Sequence, residues 1–468
     1  MLRCLSIEKE KGTWATRNLF TQALLSAEAV IVNRRRFFLA GAGFALPSLN
    51  LPMRASAPSS NIGSGKATEG ISALPAAIAA LRSRRSEAVP ITPEEREQRV
   101  QRARELMQQN KIDAILLAGG TSLTYFAGVR SGNSERMFCM VIPAKGDSFF
   151  VCPVFEKDRM MERMDSVPGG KSVRIYSWNE DESPFALVGR GLADGGLAQG
   201  TLGIEEKTPF VFANEIARAC PGLKMQDGTP VTAGCRMIKS PAEIALMKLA
   251  CDVTLKVYEA VWKSAHPGMT TNEFSSLCAA AYQRVGFPGE TSCQTGIYSA
   301  LPHGSSTPQV IKENDIVLID DGCLVEGYQS DLSRTFVYGK PTDKMLRVFD
   351  IVHKAQAAAL AAARPGVEAQ SVDAAARKVI TDAGFGPDYR TFTHRVGHGI
   401  GMDMHEWTYL VRGNKTKLQA GMTFSDEPGI YLRDEFGVRL EDDMIVAEGG
   451  AALMTPQSPS LTEPFRTS

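Results

Sequence analysis

Apolar and polar positions recur along this chain with spacings that predict helices and strands from about residue 92 onward. Thr92-Pro93-Glu94-Glu95 combines a capping hydroxyl, a first-turn proline and a glutamate that can return a bond to the cap. A helix is therefore predicted to run to about Gln109. Its buried face recurs at helical spacing: Val100, Ala103, Leu106 and Met107.

Short apolar runs after this helix predict strands. The run AILLAG begins at residue 114, and the runs FCMVIP and SFFVCP flank a turn at Lys145-Gly146-Asp147, which is a hairpin pattern. Strands and helices then alternate to about residue 230. This order favours an α/β domain.

A second helix start at Ser240-Pro241-Ala242-Glu243 opens a helix through roughly Ser264. One face of this helix is apolar: Ile244, Met247, Cys251 and Tyr258. We place a domain boundary just before it, near Met237. The predicted organisation is a leader over residues 1–57, a linker over 58–91, a first domain over 92–236 and a second over 237–468.

The leader has the order of regions typical of an export signal. The segment NRRRFFLAGAGFALPSLNLPMRASA begins at Asn33 and ends in small residues at Ala55-Ser56-Ala57. It resembles a twin-arginine signal, which predicts export to a bacterial periplasm. The alternative is a basic patch before a short buried helix, and the chain is cytoplasmic if the leader is not functional. No apolar run of 18 residues occurs, so no stable membrane insertion is predicted.

The composition of the chain argues against one class of partner and indicates the role of the cysteines. Lysine plus arginine balances aspartate plus glutamate at 52 each, which argues against a nucleic-acid partner. The nine cysteines include no CxxC pair, and several lie in apolar runs. They are predicted to be buried free thiols rather than disulfides or a thiolate zinc site.

Two acidic hairpins in the last third of the chain suggest chemistry. In IVLIDDGCLVEGYQSDLSRTF, a turn centred on Val325-Glu326 would place Asp320 and Asp331 directly opposite each other, about 5 Å apart. Two carboxylates this close repel each other unless they share a cation or a proton.

The second hairpin, MTFSDEPGIYLRDEFGVRLEDDMIV, places Glu427 and Glu441 on facing strands around a turn near Asp434. Acidic residues on a solvated strand face are common, and each hairpin alone permits that interpretation. Apolar residues next to the acids predict burial in both hairpins, however. Four buried carboxylates without partners are costly, so together they indicate a metal site.

A histidine-rich segment lies between the hairpins. His394, His398 and His405 fall within twelve residues that also contain several glycines, which allow close backbone approach. Three histidines in such company indicate a site, whereas His266 and His353 have no such neighbours and are interpreted as ordinary.

Taken in order, these segments resemble a known family. The motifs GYxSDxSRTF, HxxGHGIGxDxHE, EPGIY and GVRxED are similar to those of the pita-bread metallopeptidases, among them methionine aminopeptidase, aminopeptidase P and prolidase. The segment TSLTYFAGVRSGNSERMF resembles the creatinase-type N-terminal domain of aminopeptidase P and prolidase. The resemblance implies an α/β creatinase-like N-terminal domain followed by an α+β pita-bread catalytic domain.

The resemblance also implies two divalent metal ions. Asp320 is expected to chelate the first metal, Asp331 and Glu441 to bridge both, and His398 and Glu427 to complete the second. The oxygen-rich ligand set favours manganese, with cobalt and zinc as alternatives. Glu427 is also expected to accept the proton of the attacking water.

Further residues receive roles by the same resemblance. The three histidines expected at the substrate, in catalysis or binding, are His303, His394 and His405. Arg439 of GVRxED is expected to support the ligands electrostatically. A homo-oligomer, most simply a dimer, is also implied.

The implied reaction is cleavage of the Xaa-Pro bond, either at the N-terminus of peptides or in dipeptides. Two departures leave this choice open. Thr408 follows Trp407 where the family often has proline, and Tyr409 stands where prolidases often have an arginine for the dipeptide carboxylate. Arg412, three residues further on, is the candidate replacement.

Two other functions on the same fold are considered: a metal-free creatinase-like hydrolase and a non-catalytic binding protein. Either would be expected to lose some of the acidic ligands or some of the histidines. This chain keeps all of them, which argues for the peptidase.

Overall fold

The computed structural model of the protein describes residues 74–466. The predicted leader and the first part of the predicted linker lie outside this range, so the twin-arginine signal stays a prediction. Within the described residues, no helix is both long and apolar enough to cross a membrane.

A mixed six-stranded sheet forms the first half of the described chain. Its strands are β1 Ala114–Ala118, β2 Cys139–Pro143, β3 Phe149–Pro153, β4 Arg174–Trp178, β5 Gly200–Ile204 and β6 Leu223–Asp227. Their spatial order is β4-β3-β2-β1-β5-β6, in which β1, β2 and β3 are antiparallel and the remaining neighbours are parallel. Along β1, Ile115 and Leu117 enter one core while Leu116 enters the other, as the alternation of a strand requires.

Helices precede and cover this sheet. They are α1 Ala76–Ala79, α2 Pro93–Asn110, α3 Thr121–Ala127, α4 Val154–Met161, α5 Phe185–Asp194, α6 Phe210–Ala219 and α7 Thr229–Arg236. The predicted α/β first domain is confirmed by this alternation of helices and strands.

Helix α2 begins as predicted, with one difference in its cap. The Thr92 side chain accepts a hydrogen bond from the Glu95 amide at 3.2 Å. The Glu95 side chain does not return a bond to the cap; it accepts one from the Ser240 hydroxyl at 2.9 Å. Ser240 is the cap of the next long helix, so the starts of two helices are joined through one carboxylate.

The second half of the described chain contains four long helices and the remaining strands. The helices are α8 Pro241–Trp262, α9 Thr271–Val285, α10 Asp343–Ala362 and α11 Ala369–Asp382. The first strands are β7 Ser292–Thr295, β8 Ile316–Asp320, β9 Leu324–Val325, β10 Tyr328–Gln329 and β11 Arg334–Val337. The later strands are β12 Gly397–Gly399, β13 Glu406–Leu410, β14 Thr423–Asp426, β15 Gly429–Leu432, β16 Phe436–Arg439, β17 Asp442–Ala447 and β18 Gly450–Leu453.

The strands of this half lie between two pairs of helices. The larger sheets have the orders β11-β8-β7 and β13-β12-β14-β17-β18. Helices α8 and α9 share a core with β8 and β11, and helices α10 and α11 share another with β14, β16 and β17. The site described below lies where these strands meet.

Helix α8 starts with the predicted capping box. The Ser240 hydroxyl accepts from the Glu243 amide at 3.3 Å, and the Glu243 carboxylate accepts from the Ser240 amide at 2.8 Å. Residues 74–91, placed by the sequence in the linker, are packed against this half: Ile78 of α1 is fully buried with α8 and α9.

Every cysteine in the described residues is a buried free thiol. Burial raises the pKa of Cys139, Cys235 and Cys278 to about 12. For these eight cysteines, the prediction of buried free thiols is confirmed; Cys4 lies outside the described range.

A buried ion-pair cluster joins α7 to the second half. The Arg236 guanidinium donates to Glu406 Oε1 at 2.5 Å and to Asp403 Oδ2 at 2.7 Å, and Lys239 Nζ donates to Glu406 Oε2 at 2.9 Å. The side chains of Arg236, Lys239 and Glu406 are at most 7% exposed. Burial alone would raise the pKa of Glu406, but Lys239 and Arg236 outweigh it and lower that pKa to about 2.

Glu205, directly after β5, gives a testable pH dependence. It is 3% exposed, and burial raises its pKa to about 7. Because the folded state then holds a proton that an unfolded glutamate releases near pH 4.5, the free energy of unfolding should fall as pH rises from about 4.5 to about 7. Glu205→Gln should remove this loss and be more stable than the wild type at pH 8 by roughly 2–3 kcal/mol.

Urea titrations at pH 4.5 and pH 8 measure this effect. Glu135→Gln serves as the control, since the Glu135 side chain is 75% exposed and should not alter the pH dependence. Equal pH dependence in Glu205→Gln and the wild type would show that Glu205 ionises normally.

Candidate metal centre

Five predicted ligands open into one cavity of about 380 Å³. Asp320 ends β8, Asp331 lies between β10 and β11, and His398 is the central residue of β12, while Glu427 and Glu441 lie between consecutive strands of the long second hairpin. The cavity is also lined by four further predicted residues: His303, His394, His405 and Arg439. The structure thus brings together every predicted site residue except Arg412.

The turn of the first hairpin is displaced from its predicted centre by one residue. Val325 pairs with Tyr328, so the two turn residues are Glu326 and Gly327 rather than Val325 and Glu326. Both have positive φ, at 49° and 94°. Two such residues match the twist of the flanking strands, and glycine suits the second position.

This displacement changes which residues face each other. In the ladder of β8 with β11, Ile319 pairs with Arg334, and the same register places Ser333 opposite Asp320. The prediction that Asp331 lies directly opposite Asp320 is therefore wrong by two residues. Asp331 enters the same cavity from the segment before β11, where the ladder is interrupted.

The second hairpin has the predicted register. Asp426 pairs with Asp442 in β14 and β17, and the pairing of β15 with β16 continues the same register beyond them. Glu427 and Glu441 fall between these two ladders at opposite positions. Their prediction as a facing pair is confirmed by this geometry.

Close packing fixes the position of the central histidine. A Cβ atom on Gly397 would lie 2.0 Å from the Ser425 carbonyl oxygen, and one on Gly399 would lie 2.7 Å from the Glu406 carbonyl oxygen. Strand β12 is thus held between β13 and β14 at a separation that only glycine permits on either side of His398.

Hydrogen bonding selects the tautomer of His398. Its Nδ1 lies 3.1 Å from the Gly399 carbonyl oxygen, which can only accept, so Nδ1 carries the proton. Nε2 is then unprotonated, and its lone pair can bind a metal. This atom lies 3.5 Å from Asp331 Oδ2 and 3.4 Å from Glu427 Oε1. This is the arrangement of a metal-ligating imidazole.

The carboxylates are held in an unfavourable electrostatic environment. Burial, followed by neighbouring carboxylates, raises the pKa of Asp331 and Glu441 well above its usual range. Burial also raises the pKa of Glu427 to about 7. Burial would raise the pKa of Asp320 as well, but Arg439 and hydrogen bonds outweigh it and lower that pKa.

Arg439 supplies the positive charge among these acids. Its guanidinium bonds to the Asp320 carboxylate, donates to the Ser333 hydroxyl at 2.8 Å, and lies 3.7 Å from Glu441 Oε2. The Ser333 hydroxyl in turn lies 2.6 Å from both Asp320 Oδ1 and Glu441 Oε2. Arg439 therefore lies beside the ligand carboxylates, which is the position predicted for it from the sequence.

The donor set fits divalent metal. Asp331, His398 and Glu441 each offer a ligand atom within 4.8 Å of the others, and all three residues are buried. The four ligand carboxylates face the guanidinium of Arg439, the partly exposed Arg395 and one neutral imidazole, so negative charge exceeds the positive charge of the protein and divalent ions would balance it. Five ligands of this kind suit a hard or borderline metal.

Comparison with known proteins identifies the family. The model of metallopeptidase family M24 matches residues 245–448, and that of the creatinase/prolidase N-terminal domain matches residues 99–238. A probable dipeptidase PepE of Mycobacterium tuberculosis is 34% identical over 72% of this chain and 88% of its own length. The chain belongs to metallopeptidase family M24.

Other M24 proteins are similar over the same range. The Xaa-Pro dipeptidase of Pyrococcus horikoshii is 30% identical over 75% of this chain and 95% of its own length. The crystal structure of dipeptidase PepE from Mycobacterium ulcerans superposes with a TM-score of 0.74 at 32% identity, covering 80% of this chain and 99% of that one. The creatinase-type domain and the pita-bread catalytic domain implied by the sequence are confirmed.

His394 lines the cavity of this M24 site, and both nitrogens of its ring are hydrogen-bonded by protein groups. Its Nδ1 donates to the Arg395 carbonyl oxygen at 2.8 Å, and its Nε2 accepts from the Tyr431 hydroxyl at 2.7 Å. Burial lowers the pKa of His394 to about 3, which keeps the ring neutral. Both ring nitrogens are engaged by protein groups, so His394 forms the wall of the cavity rather than offering a free nitrogen to substrate.

His405 and His303 are the two other histidines of the cavity that can contact a substrate. The His405 ring is centred 4.0 Å from the His398 ring, and Arg395 Nη2 lies 3.4 Å from His405 Nδ1, which favours a proton on Nε2. Burial lowers the pKa of His405 to about 4. His303 is exposed in the loop that lines the cavity.

Arg412 does not lie in the M24 cavity, contrary to the expectation that it binds substrate. Its guanidinium donates to Asp388 Oδ1 at 2.7 Å and lies 5.4 Å from the centre of the Tyr389 ring. The side chain is 55% exposed, on the surface that carries α11. Arg412 thus lies outside the cavity that holds the predicted ligands.

Three residues at the site were missed from the sequence: Ser333 and Tyr431, which hydrogen-bond to lining residues, and Arg395, which lines the cavity. Strand alternation offered a signal for the first, because Ser333 lies two residues after Asp331. Tyr431 is the last letter of the EPGIY motif, and its hydroxyl accepts from Arg439 at 3.1 Å. Arg395 stands between two of the chosen histidines and was passed over.

Proposed function

We propose that this M24 peptidase hydrolyses the Xaa-Pro bond of dipeptides or of short peptides with proline at the second position. The observation that carries the proposal is the single cavity that gathers all five ligands with His303 and His405. Support comes from the Xaa-Pro dipeptidase of Pyrococcus horikoshii, which this chain matches over 95% of that protein's length.

The metals would be held by the five ligands: Asp320, Asp331, His398, Glu427 and Glu441. When bound, two divalent ions supply Lewis acidity and lower the pKa of water to near neutrality. Manganese is the proposed metal because four of the five ligands are carboxylates; cobalt and zinc remain alternatives.

The side chains around the metals have separable roles. Glu427 lies between His398 and His394, with Oε1 3.4 Å from His398 Nε2, and accepts the proton of the attacking water. His405 is neutral at pH 7 and offers an Nε2–H to the developing oxyanion of the scissile carbonyl. His303 and the neighbouring loop contact the residue after the scissile bond. That residue is proline in the proposed substrate and brings no amide proton that would need an acceptor.

Location and assembly are proposed from the sequence and from kinship. The segment at Arg34-Arg35 supports export by the twin-arginine route to the periplasm, which carries folded proteins and would deliver a metal-loaded enzyme. The resemblance supports a homodimer.

Hydrolysis assays test the proposed function and the subclass together. The full-length chain is stripped of metal, reloaded with Mn²⁺, Co²⁺ or Zn²⁺, and given Gly-Pro, Gly-Pro-Leu and, as a control, Gly-Leu. We expect metal-dependent release of glycine from a prolyl substrate and slower cleavage of Gly-Leu. Hydrolysis of Gly-Pro alone indicates a dipeptidase, and preference for Gly-Pro-Leu indicates an aminopeptidase. Failure on both prolyl substrates with every metal contradicts the proposal.

A further inference from the structure

The connection between β12 and β13, residues 400–405, carries His405 and contains neither a helix nor a strand. It is joined to β10 near its start, where the Gly401 carbonyl oxygen accepts a hydrogen bond from the Gln329 amide at 2.7 Å. His405 lies four residues further along the chain. Contacts closer to His405 therefore determine where its imidazole lies in the cavity.

The side chain of Asp403, two residues before His405, is bonded by three donors of the creatinase-type domain. Its Oδ1 accepts from the Thr121 hydroxyl at 2.6 Å. Its Oδ2 accepts from Lys207 Nζ at 2.6 Å and from the Arg236 guanidinium at 2.7 Å. The donors belong to separate elements: the start of α3, the segment between β5 and α6, and the end of α7. Three parts of one domain thus hold one carboxylate of the other.

Charge strengthens this contact. Burial would raise the pKa of Asp403, but Arg236 and the hydrogen bonds from Lys207 and Thr121 outweigh it and lower that pKa. The carboxylate is therefore ionised at neutral pH, and its side chain is only 20% exposed. Hydrogen bonds to an ionised carboxylate are stronger than those to a neutral acceptor.

The residue after His405 is held by the same domain. Glu406 Oε1 accepts from the Arg236 guanidinium at 2.5 Å and from the Asp403 amide at 3.0 Å. Arg236 thus bonds to an acid on each side of His405. The His405 imidazole is centred 4.0 Å from that of the ligand His398. A displacement of about 1 Å at such a position can lower a rate about a hundredfold.

We propose that Asp403 is a positioning residue, through which the creatinase-type domain holds His405 beside the metal ligands. The inference rests on the proposed function, in which His405 contacts the substrate, and it gives the first domain a part in the reaction. Thr121 and Lys207 would then support turnover although neither lines the metal cavity.

Lys207→Met removes one of the three bonds at small cost to the fold, because the Lys207 side chain is 50% exposed. The manganese-loaded, full-length variant should lose about fivefold in kcat for Gly-Pro. KM should change by less than about twofold, since loss of a contact made only in the transition state lowers kcat. Asp403→Ala removes all three bonds and should lose about a hundredfold in kcat. Asp403→Glu should regain part of this loss because it restores the charge.

Thr121→Val combined with Lys207→Met keeps Asp403 and removes two of its three bonds from the side of the first domain. The kcat of this double variant should lie between those of Lys207→Met and Asp403→Ala. Urea titration measures the fold of each variant, and the double variant decides the question where Asp403→Ala folds poorly.

Hydrogen exchange in the metal-free protein provides a readout without turnover. The Gly401 amide donates to the Asp403 carbonyl oxygen at 3.2 Å, and the Asp403 amide donates to Glu406 Oε1 at 3.0 Å. Peptides covering residues 400–406 should exchange at least about tenfold faster in Asp403→Ala. Peptides from β17 should exchange as in the wild type, which would show that the change is local.

Lys263→Met is the matched control: Lys263 also pairs with a carboxylate, Glu259 on α8, and its side chain is 52% exposed. It should leave both kcat and exchange unchanged. The inference is overturned if Lys207→Met and the double variant keep the wild-type kcat, or if kcat falls while exchange of residues 400–406 stays the same. A loss of bound metal in step with kcat, measured by elemental analysis, would also overturn it.

Failure of the proposed function has a different signature. The wild type would then cleave no prolyl substrate, while exchange of residues 400–406 would still rise in Asp403→Ala.

Discussion

Replacing Asp331 with alanine is expected to abolish peptidase activity and to reduce bound metal below two ions per chain. Asp331 Oδ2 lies 3.5 Å from His398 Nε2, and its ligand atom lies within 4.8 Å of those of His398 and Glu441. An alanine side chain at position 331 offers no atom that can bind a metal. The loss of kcat/KM should be at least as large as the roughly 10²- to 10³-fold caused by removing one electrostatic group from an active site.

Metal content is measured by elemental analysis after dialysis, alongside the Gly-Pro assay. Asp331→Asn tests charge against shape, and Asp350→Ala is the control, because Asp350 is 59% exposed and pairs with Lys354 on α10. The metal-free Asp331→Ala protein should be no less stable than the metal-free wild type, since a buried carboxylate repelled by Asp320 has been removed. Two retained metals with normal activity would show that the ligand assignment is wrong.

Glu406→Gln is expected to lower the free energy of unfolding by about 3–5 kcal/mol, the usual cost of breaking a buried ion pair from one side. The substitution leaves Arg236 and Lys239 buried with one carboxylate fewer. Activity should also fall, though by less than in Asp331→Ala, because Glu406 directly follows His405 and is the first residue of β13.

The pH dependence of Glu406→Gln gives a second check. The pKa of Glu406 is lowered to about 2 from 4.5, so its stabilising contribution is present above about pH 4.5 and is lost as pH falls toward 2. The variant should therefore approach the wild type in stability at low pH. Glu105→Gln is the control: the Glu105 side chain is 60% exposed beside Arg102, and its loss should cost less than about 1 kcal/mol. Equal effects of the two substitutions would contradict a structural role for the buried cluster.

The sequence was most informative where local rules determine geometry. Capping residues located the starts of α2 and α8. Apolar neighbours predicted the burial of Asp331 and Glu441 correctly, whereas the side chains of Asp320 and Glu427 are 23% and 14% exposed. The second hairpin was predicted in register because its three-residue turn is centred on Asp434, which has a positive φ of 64°. The first hairpin was not, because its turn needs two residues of positive φ and the choice between Val325-Glu326 and Glu326-Gly327 depends on that requirement.

The direction of side chains in irregular segments could not be predicted. Arg412 follows the cavity residue His405 by seven positions, yet its side chain lies on the surface beside α11. The ring of His394 turned out to be engaged by Tyr431 and by the carbonyl oxygen of Arg395, a contact that joins a loop to β15. Such contacts depend on how separate elements pack against each other, and the spacing of residues within one segment gives no information about that packing.

The buried contacts between the two halves bear on how the molecule unfolds. Arg99 of α2 donates to the Tyr328 hydroxyl at 2.9 Å, and that hydroxyl donates to Glu243 of α8 at 2.8 Å. Tyr328 belongs to the first acidic hairpin, so a single phenol connects the creatinase-type domain, the start of the catalytic domain and the strands next to the metal ligands. Separating the two halves would leave these polar groups without their hydrogen-bond partners. We therefore expect the creatinase-type domain and the catalytic domain to unfold together, in one cooperative transition.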